Sequence, residues 1–340
     1  MCRPKRGHPG GNYVSATVLV TGGAGYIGSH MILGLLDRGD RVVVLDNLST
    51  GVREQVSPAA IFVEGDVGNI TLVRQLLREH RVDAVAHFAG SVIVPESVAD
   101  PLKYYSNNTA ASRNLVDACI AEGVGKFVFS STAAVYGVPA VTTVTEQSPT
   151  VPINPYGASK LMTEWMLADI AKAYPFRHMA LRYFNVAGSD PAGRTGQSTP
   201  RATHLIKRAC QVALGQVSHL DVFGTDFDTP DGTGVRDYIH VSDLIAAHLL
   251  ALDALADGAP PNVFNCGYGR GLSVREIIAC VEKEAGGKLA TRDAPRRPGD
   301  PAILIADASK LRHTLGWTPR HDTIEDMVKT AFAWERRLAG

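Results

Sequence analysis

Cysteine is scarce in this sequence and unpaired: five residues in 340, at positions 2, 119, 210, 266 and 280, with no C-x-x-C spacing. That pattern builds neither a disulfide scaffold nor a zinc site. It reads as free thiols in a reducing compartment, most of them core filler, so a cytoplasmic setting is expected. An excess of either charge is also missing. Lys and Arg number 34 and Asp and Glu 34, a formal net charge of +0. This excludes the broad basic footprint of a protein whose main partner is nucleic acid or an anionic membrane. No apolar run approaches the roughly 20 residues that span a bilayer. The histidines lack metal-ligand spacing, so no metal is expected. Residues 1–16 have no apolar stretch of the secretory kind and are expected to form a loose arm. What is present is an ordinary globular mix, 45% hydrophobic and 20% charged, in a chain long enough for two domains.

From Thr17 onward, short apolar runs alternate with segments of helical periodicity. Val18–Val20, Arg41–Leu45, Ala60–Glu64, Ala84–Phe88, Lys126–Ser130 and Met179–Phe184 read as strands apolar on both faces. Helices are expected near 31–36, 71–79, 104–121 and 156–174. Such alternation implies an α/β fold, a doubly wound parallel sheet with helices on both faces. After about Ser189 the chain turns rich in Gly, Pro, Thr and Asp, with helices expected near 203–214, 241–256, 274–285 and 323–338 and a strand at 262–266. A dinucleotide-binding domain is therefore expected over 17–188 and about 236–266. A smaller, discontinuous domain takes about 189–235 and 267–340, with the ligand in the crevice between them.

Gly22, Gly25 and Gly28 form T-G-x-x-G-x-x-G between the first strand and the first helix. The first glycine suits the tight turn, the second the approach of a pyrophosphate, the third close packing of helix on sheet. The helix N-terminus adds free N–H groups and a positive dipole. Asp46 ends the next strand, where a carboxylate bonds ribose hydroxyls and repels a 2′-phosphate. Asn47 follows with no arginine beside it, so NAD is favoured over NADP.

Tyr156 and Lys160 lie in N-P-Y-G-A-S-K, with Pro155 suited to the first helical position and Asn154 to its cap. Their spacing puts both side chains on one helical face. An ammonium near a phenol favours the phenolate, so Tyr156 is expected to have a lowered pKa and to act as a base on a sugar hydroxyl.

These motifs make the chain resemble the extended short-chain dehydrogenase/reductase superfamily. The resemblance rests on V-T-G-G-A-G-Y-I-G-S-H (20–30), L-D-N-L (45–48), E-G-D-V (64–67), H-F-A-G (87–90) and E-S-V-A-D-P-L-K-Y-Y-S-N-N (96–108). It continues through F-S-S-T-A-A-V-Y-G (129–137), P-Y-G-A-S-K-L-M-T-E (155–164) and L-R-Y-F-N-V-A-G (181–188). D-G-T-G-V-R-D-Y-I-H-V (231–241) and A-P-R-R-P-G-D-P-A (294–302) are more specific to its nucleotide-sugar epimerase branch. Dehydratases of the superfamily place an acidic pair after the catalytic threonine; here Thr132 is followed by Ala133 and Ala134, which disfavours elimination of water.

The resemblance implies interconversion of UDP-galactose and UDP-glucose through a 4-keto sugar, with tightly bound NAD. Tyr156 would be the acid–base group, Thr132 its partner on the substrate oxygen, and Lys160 the holder of the nicotinamide ribose. Cofactor positions carried over are Gly22, Gly25, Tyr26, Ile27, Gly28, Asp46, Asn47, Asp66, Val67, Phe88, Ala89, Gly90, Asn107, Ser130 and Tyr183. Those for a UDP-hexose are Phe184, Asn185, His204, Leu205, Phe223, Arg236, Arg297 and Asp300, with the two arginines as diphosphate and uridine partners. His204 stands where asparagine is usual, and otherwise reads as a helix-surface residue. Val92 replaces a usual lysine. Leu304 replaces the bulky tyrosine of narrow-specificity members, which leaves room for an N-acetyl group. The alternatives are 4-epimerisation of UDP-GlcNAc/GalNAc, UDP-xylose/arabinose or UDP-glucuronate, and, outside enzymes, a nucleotide-sugar or dinucleotide sensor that has lost chemistry. A homodimer through the 110–120 and 161–171 helix faces is the family expectation.

Overall fold

The computed structural model describes residues 15–199, 202–297 and 299–340. The expected arm falls outside these as far as residue 14. Ser15 and Ala16, assigned to it, are instead tied down: Ser15 Oγ donates to Gly39 O and Ala16 N to Asp40 Oδ1.

In chain order the strands are β1 (Thr17–Thr21), β2 (Arg41–Asp46), β3 (Ile61–Glu64), β4 (Ala84–His87), β5 (Lys126–Thr132), β6 (Thr143–Val144) and β7 (Arg177–Tyr183). They continue as β8 (Asn185–Ala187), β9 (Leu220–Phe223), β10 (Val235–His240), β11 (Asn262–Cys266), β12 (Gly271–Ser273), β13 (Thr291–Ala294) and β14 (Ile303–Ala306). Seven of them form one parallel sheet in the order β11-β7-β5-β4-β1-β2-β3. The order reverses between β1 and β4, and that switch point opens a crevice at the carboxyl ends of the strands.

Both sheet faces are buried, which is why the strands are apolar throughout. Val18, Val20, Val42, Val44 and Val128 face one core with the helices Tyr26–Asp37 and Val241–Ala256. Leu19, Val43, Leu45, Phe127 and Phe129, one residue out of phase, face the other with the helices Ile70–Glu79 and Ala111–Ala121.

The single helix expected over 104–121 is broken. Short helices Val94–Ala99 and Pro101–Tyr104 lead into a π-helical stretch, Tyr105–Ala110, before the regular helix begins at Ala111. Within that stretch Asn108 turns inward, its Oδ1 accepting from Ser91 N and its Nδ2 donating to Ser91 O and Ser159 Oγ. A side chain bonded to three groups outside its own helix supplies the tertiary reason for the wider local turn.

Beyond Ser189 most strands escape the sequence pattern because they are three to six residues long. β12, β10, β14 and β6 form a second sheet, with β8 beside β10, and β13 pairs β9. Within β10, Arg236 pairs with β12 and β14, Asp237 with β12, and Tyr238–His240 with β8; β11 then takes the edge of the large sheet beside β7. A third core, including Ile206, Cys210, Ile277, Val281, Met327 and Phe332, joins the helices Leu205–Ala213, Val274–Ala285 and Ile324–Ala339.

Candidate active site

The glycine turn is built as a seat for an anion. Gly22 has φ +71°, and a Cβ there would lie 2.5 Å from Ala89 N; a Cβ at Gly28 would lie 2.1 Å from Gly22 O. At Gly25 the nearest atom to such a Cβ is Gly22 O, 3.2 Å away, so its outer side is open. The helix that follows, Tyr26–Asp37, has no side-chain cap and no acid in its first turn. Its leading amides, including that of Ile27, are available to a diphosphate. Tyr26 points its ring away from the turn, its hydroxyl donating to Gly188 O and its ring edge-on to His204 at 6.0 Å.

Asp46 is buried, with Oδ2 accepting from Ala24 N at 2.9 Å and Oδ1 from Leu48 N at 2.8 Å. Burial pushes its carboxyl pKa up, against the two amides that favour the charge. Each oxygen keeps a second lone pair for a ribose hydroxyl. Asn47 Nδ2 donates to Asp66 Oδ2, and Gly68 N donates to Asp66 Oδ1, so the positions expected around the adenosine are neighbours. Val67 is buried behind them.

Farther along the strand ends, Phe88 packs on the first core and Ala89 on the second. A Cβ at Gly90, whose φ is +155°, would lie 2.8 Å from Asn108 Oδ1 and 3.6 Å from Lys160 Nζ. Asn107 is exposed, donating to Ser91 Oγ, whereas Asn108 is the buried amide beside Gly90 and Lys160. Two adjacent asparagines in the sequence carry no signal for which one turns inward.

The helix Pro155–Ala173 begins as its sequence suggests, with Pro155 in the first turn and Asn154 accepting from Gly157 N. Tyr156 and Lys160 are both buried on its inner side. The Tyr156 hydroxyl lies beside the Thr132 side chain, and Thr132 Oγ1 accepts from Ala134 N. Lys160 Nζ donates to Ser130 O at 3.0 Å and stands 5.0 Å from the centre of the Phe129 ring. Ser130 Oγ is bonded to the Tyr183 hydroxyl. Thr132, Tyr156, Lys160, Ser130 and Tyr183 thus meet at the end of β5.

The expected lowering of the Tyr156 pKa is corrected here. Burial raises it, the Thr132 hydroxyl beside it opposing only in part, and the same burial lowers Lys160 to about 8. Desolvation outweighs the proximity of the two groups because it acts on each charged form separately.

The residues expected at a nucleotide sugar lie on the second set of elements. Phe184 is buried with Ala133, Tyr136, Leu161 and Leu304, while Asn185, in the next position, is exposed and is the register partner of Tyr238. His204 caps the helix that Leu205 opens; it is exposed, but its Nδ1 is 3.1 Å from Gln197 Nε2 and its ring meets Tyr26. Arg236 Nη1 donates to Val235 O and its Nη2 lies 3.8 Å from Asp300 Oδ1. The Arg297 guanidinium stacks 4.0 Å over Phe223. Partial burial of Arg236 costs its charge some solvation, which an anionic ligand restores.

Sequence reasoning missed one buried ionic cluster beneath this site, Ser131, Glu164 and Arg182. Its one available signal was an arginine inside the otherwise apolar run Met179–Phe184. Among the described residues no cluster of His, Cys, Asp or Glu could hold a metal, and no helix is long and apolar enough to cross a membrane.

Comparison with known proteins adds four findings. Residues 18–267 match the model of the family described as "NAD dependent epimerase/dehydratase family". The protein named UDP-glucose 4-epimerase from Azospirillum brasilense is 58% identical over 95% of this chain and 93% of its own. UDP-glucose 4-epimerase from Brucella ovis, solved in complex with NAD, superposes with a TM-score of 0.91 at 43% identity, covering 94% of this chain and 98% of its own. The UDP-Glc/GlcNAc 4-epimerase of Campylobacter jejuni gives 0.83 at 47% identity over 95% and 100%.

Proposed function

The chain belongs to the NAD dependent epimerase/dehydratase family, and from that premise we propose that it is a UDP-glucose 4-epimerase. It interconverts UDP-galactose and UDP-glucose through a 4-keto sugar. The observation that carries this reading is the meeting of Thr132, Tyr156 and Lys160 at the end of β5, with Ala133 and Ala134 where an eliminating enzyme needs acids.

The seat fits NAD: an open glycine turn, an uncapped helix start, and Asp46 without a neighbouring arginine. When bound, that cofactor supplies hydride exchange at C4 and the positive charge of its oxidised ring. The chain's own residues do the rest. Tyr156 takes the proton of the 4-hydroxyl and returns it to the same oxygen on the opposite face of the sugar. Thr132 orients that oxygen by hydrogen bonding. Lys160, anchored on Ser130 O, bonds the nicotinamide ribose and keeps positive charge near the phenol. Arg236 and Arg297 hold the diphosphate and uridine end, so the hexose is free to turn about its linkage.

The direct test is incubation with UDP-galactose and no added cofactor. UDP-glucose is expected to form, because NAD is retained through each turnover; a purified protein inert even with added NAD would refute the reading. Leu304 is buried in the apolar cluster with Phe184 and is smaller than tyrosine. Turnover of UDP-GlcNAc in the same assay is therefore expected, and its absence while UDP-galactose reacts would confine the enzyme to the smaller sugars.

The proposed assembly is a homodimer. Met162 and Trp165, 41% and 57% exposed, lie on the outer side of the catalytic helix. A groove of about 480 Å³ there is lined by Tyr105, Thr109, Ala110, Met162 and Met166, with Arg113 and Asn114 also in its wall. Closing such a face against a second copy buries apolar area that one chain leaves in water. Sedimentation should give twice the mass of the chain; the mass of one chain would contradict this.

A further inference from the structure

We propose that Glu164, with Ser131 and Arg182, is a positioning device for the acid–base centre, a role distinct from the catalytic contacts above. Glu164 follows Lys160 by one turn and Tyr156 by two on the same helix face. Its Oε1 accepts from Ser131 Oγ and from Arg182 Nε at 3.0 Å, and its Oε2 accepts from Arg182 Nη2 at 2.6 Å. The pair is bidentate and buried, with Arg182 6% and Glu164 5% exposed.

The placement matters more than the charge. Ser131 and Arg182 are register partners on β5 and β7, and the next pair along is Thr132 and Tyr183. Side chains alternate along a strand, so Ser131 projects from one face of β5, where it reaches Glu164, while Ser130 and Thr132 project from the other. One carboxylate therefore binds three elements at once: the helix carrying Tyr156 and Lys160, the strand end carrying Thr132, and the strand carrying Tyr183.

Beyond Arg182 the cluster is closed. Arg182 Nη1 donates to the Tyr136 hydroxyl at 3.0 Å, and that hydroxyl donates to Asn265 Oδ1 at 2.6 Å. Asn265 N in turn donates to Glu146 Oε1, and Asn265 Nδ2 to Val144 O. A satisfied buried network of this kind permits one arrangement, whereas an apolar contact would tolerate sliding. Because its members bond one another and not the side chains of Thr132, Tyr156 or Lys160, the device acts on the rate of the chemical step through geometry.

This inference rests on the reading of Tyr156 as the acid–base group, and the test separates the two. Ser131→Ala removes one hydrogen bond and leaves the ion pair; Glu164→Gln removes the charge. Wild type, both variants and Glu164→Asp are assayed for kcat, KM for UDP-galactose, retained NAD and melting temperature. Ser131→Ala is expected to lower kcat about tenfold and Glu164→Gln up to about a hundredfold, the scale of a displacement near 1 Å. KM and retained NAD stay within about twofold in this regime. Glu164→Asp, which keeps the charge, recovers part of the loss if its shorter reach still meets Ser131. Should Glu164→Gln fail to fold, Ser131→Ala decides. An unchanged kcat in folded Ser131→Ala, or a loss of rate matched by loss of NAD or a rise in KM, overturns the device while leaving the epimerase reading intact. An inert wild type refutes the epimerase reading instead.

Discussion

Tyr156→Phe is expected to lower kcat by about 10²- to 10⁴-fold, the contribution typical of a positioned acid–base group. Removing one oxygen leaves the ring in place, edge-on to Tyr104 at a centroid distance of 6.4 Å, and leaves Lys160 bonded to Ser130 O. The seat for the nucleotide is untouched, because Arg236, Arg297 and Phe223 lie on other elements. Calorimetric binding of a UDP sugar should therefore persist while turnover collapses. Equal turnover by the variant would mean that another group carries the proton. The burial that raises the Tyr156 pKa adds a further expectation: any positive charge lost from its surroundings favours the neutral phenol and slows the oxidation half-reaction.

A second large effect is expected from Gly28→Ala. In a helix interior this change is ordinarily favourable by roughly 1 kcal/mol. Here the new Cβ would lie 2.1 Å from Gly22 O and 2.8 Å from Gly23 Cα, both backbone atoms of the turn. Relieving that overlap moves either the helix or the turn, and overpacking of this kind costs about 1–3 kcal/mol. The collision outweighs the propensity gain, so the sign reverses. The variant should melt at a lower temperature and release little or no NAD on denaturation, where wild type releases nearly one equivalent. A variant that retains NAD at the wild-type melting temperature would show that the close approach is not needed.

The large sheet was legible because burial on both faces writes itself into composition. Strands such as R-V-V-V-L must be apolar throughout, and the glycines at 22 and 28 are demanded by backbone contacts that leave no room for a Cβ. The catalytic helix was legible for a local reason, a proline and a capping asparagine at its start. Three things were not. β12 and β14 are three and four residues long, too short for a period to emerge. The π-helical stretch depends on Asn108 finding Ser91 and Ser159, partners that no local window contains. The raised pKa of Tyr156 depends on depth below the surface, a property of the whole packing, and proximity to Lys160 along the helix pointed the other way.

Ala133 and Ala134 carry a last consequence. Neither methyl can give or take a proton, and Ala134 contributes to the site only through its amide, bonded to Thr132 Oγ1. In the proposed cycle one phenol then serves the outward and the return transfer, and no bond is broken that the return transfer does not remake. Nothing leaves the ring, so the reaction has no thermodynamic ratchet. Such a catalyst hastens approach to the balance set by the two sugars' own free energies and favours neither. Net flow through it follows mass action, taking the direction of whichever sugar nucleotide is in excess.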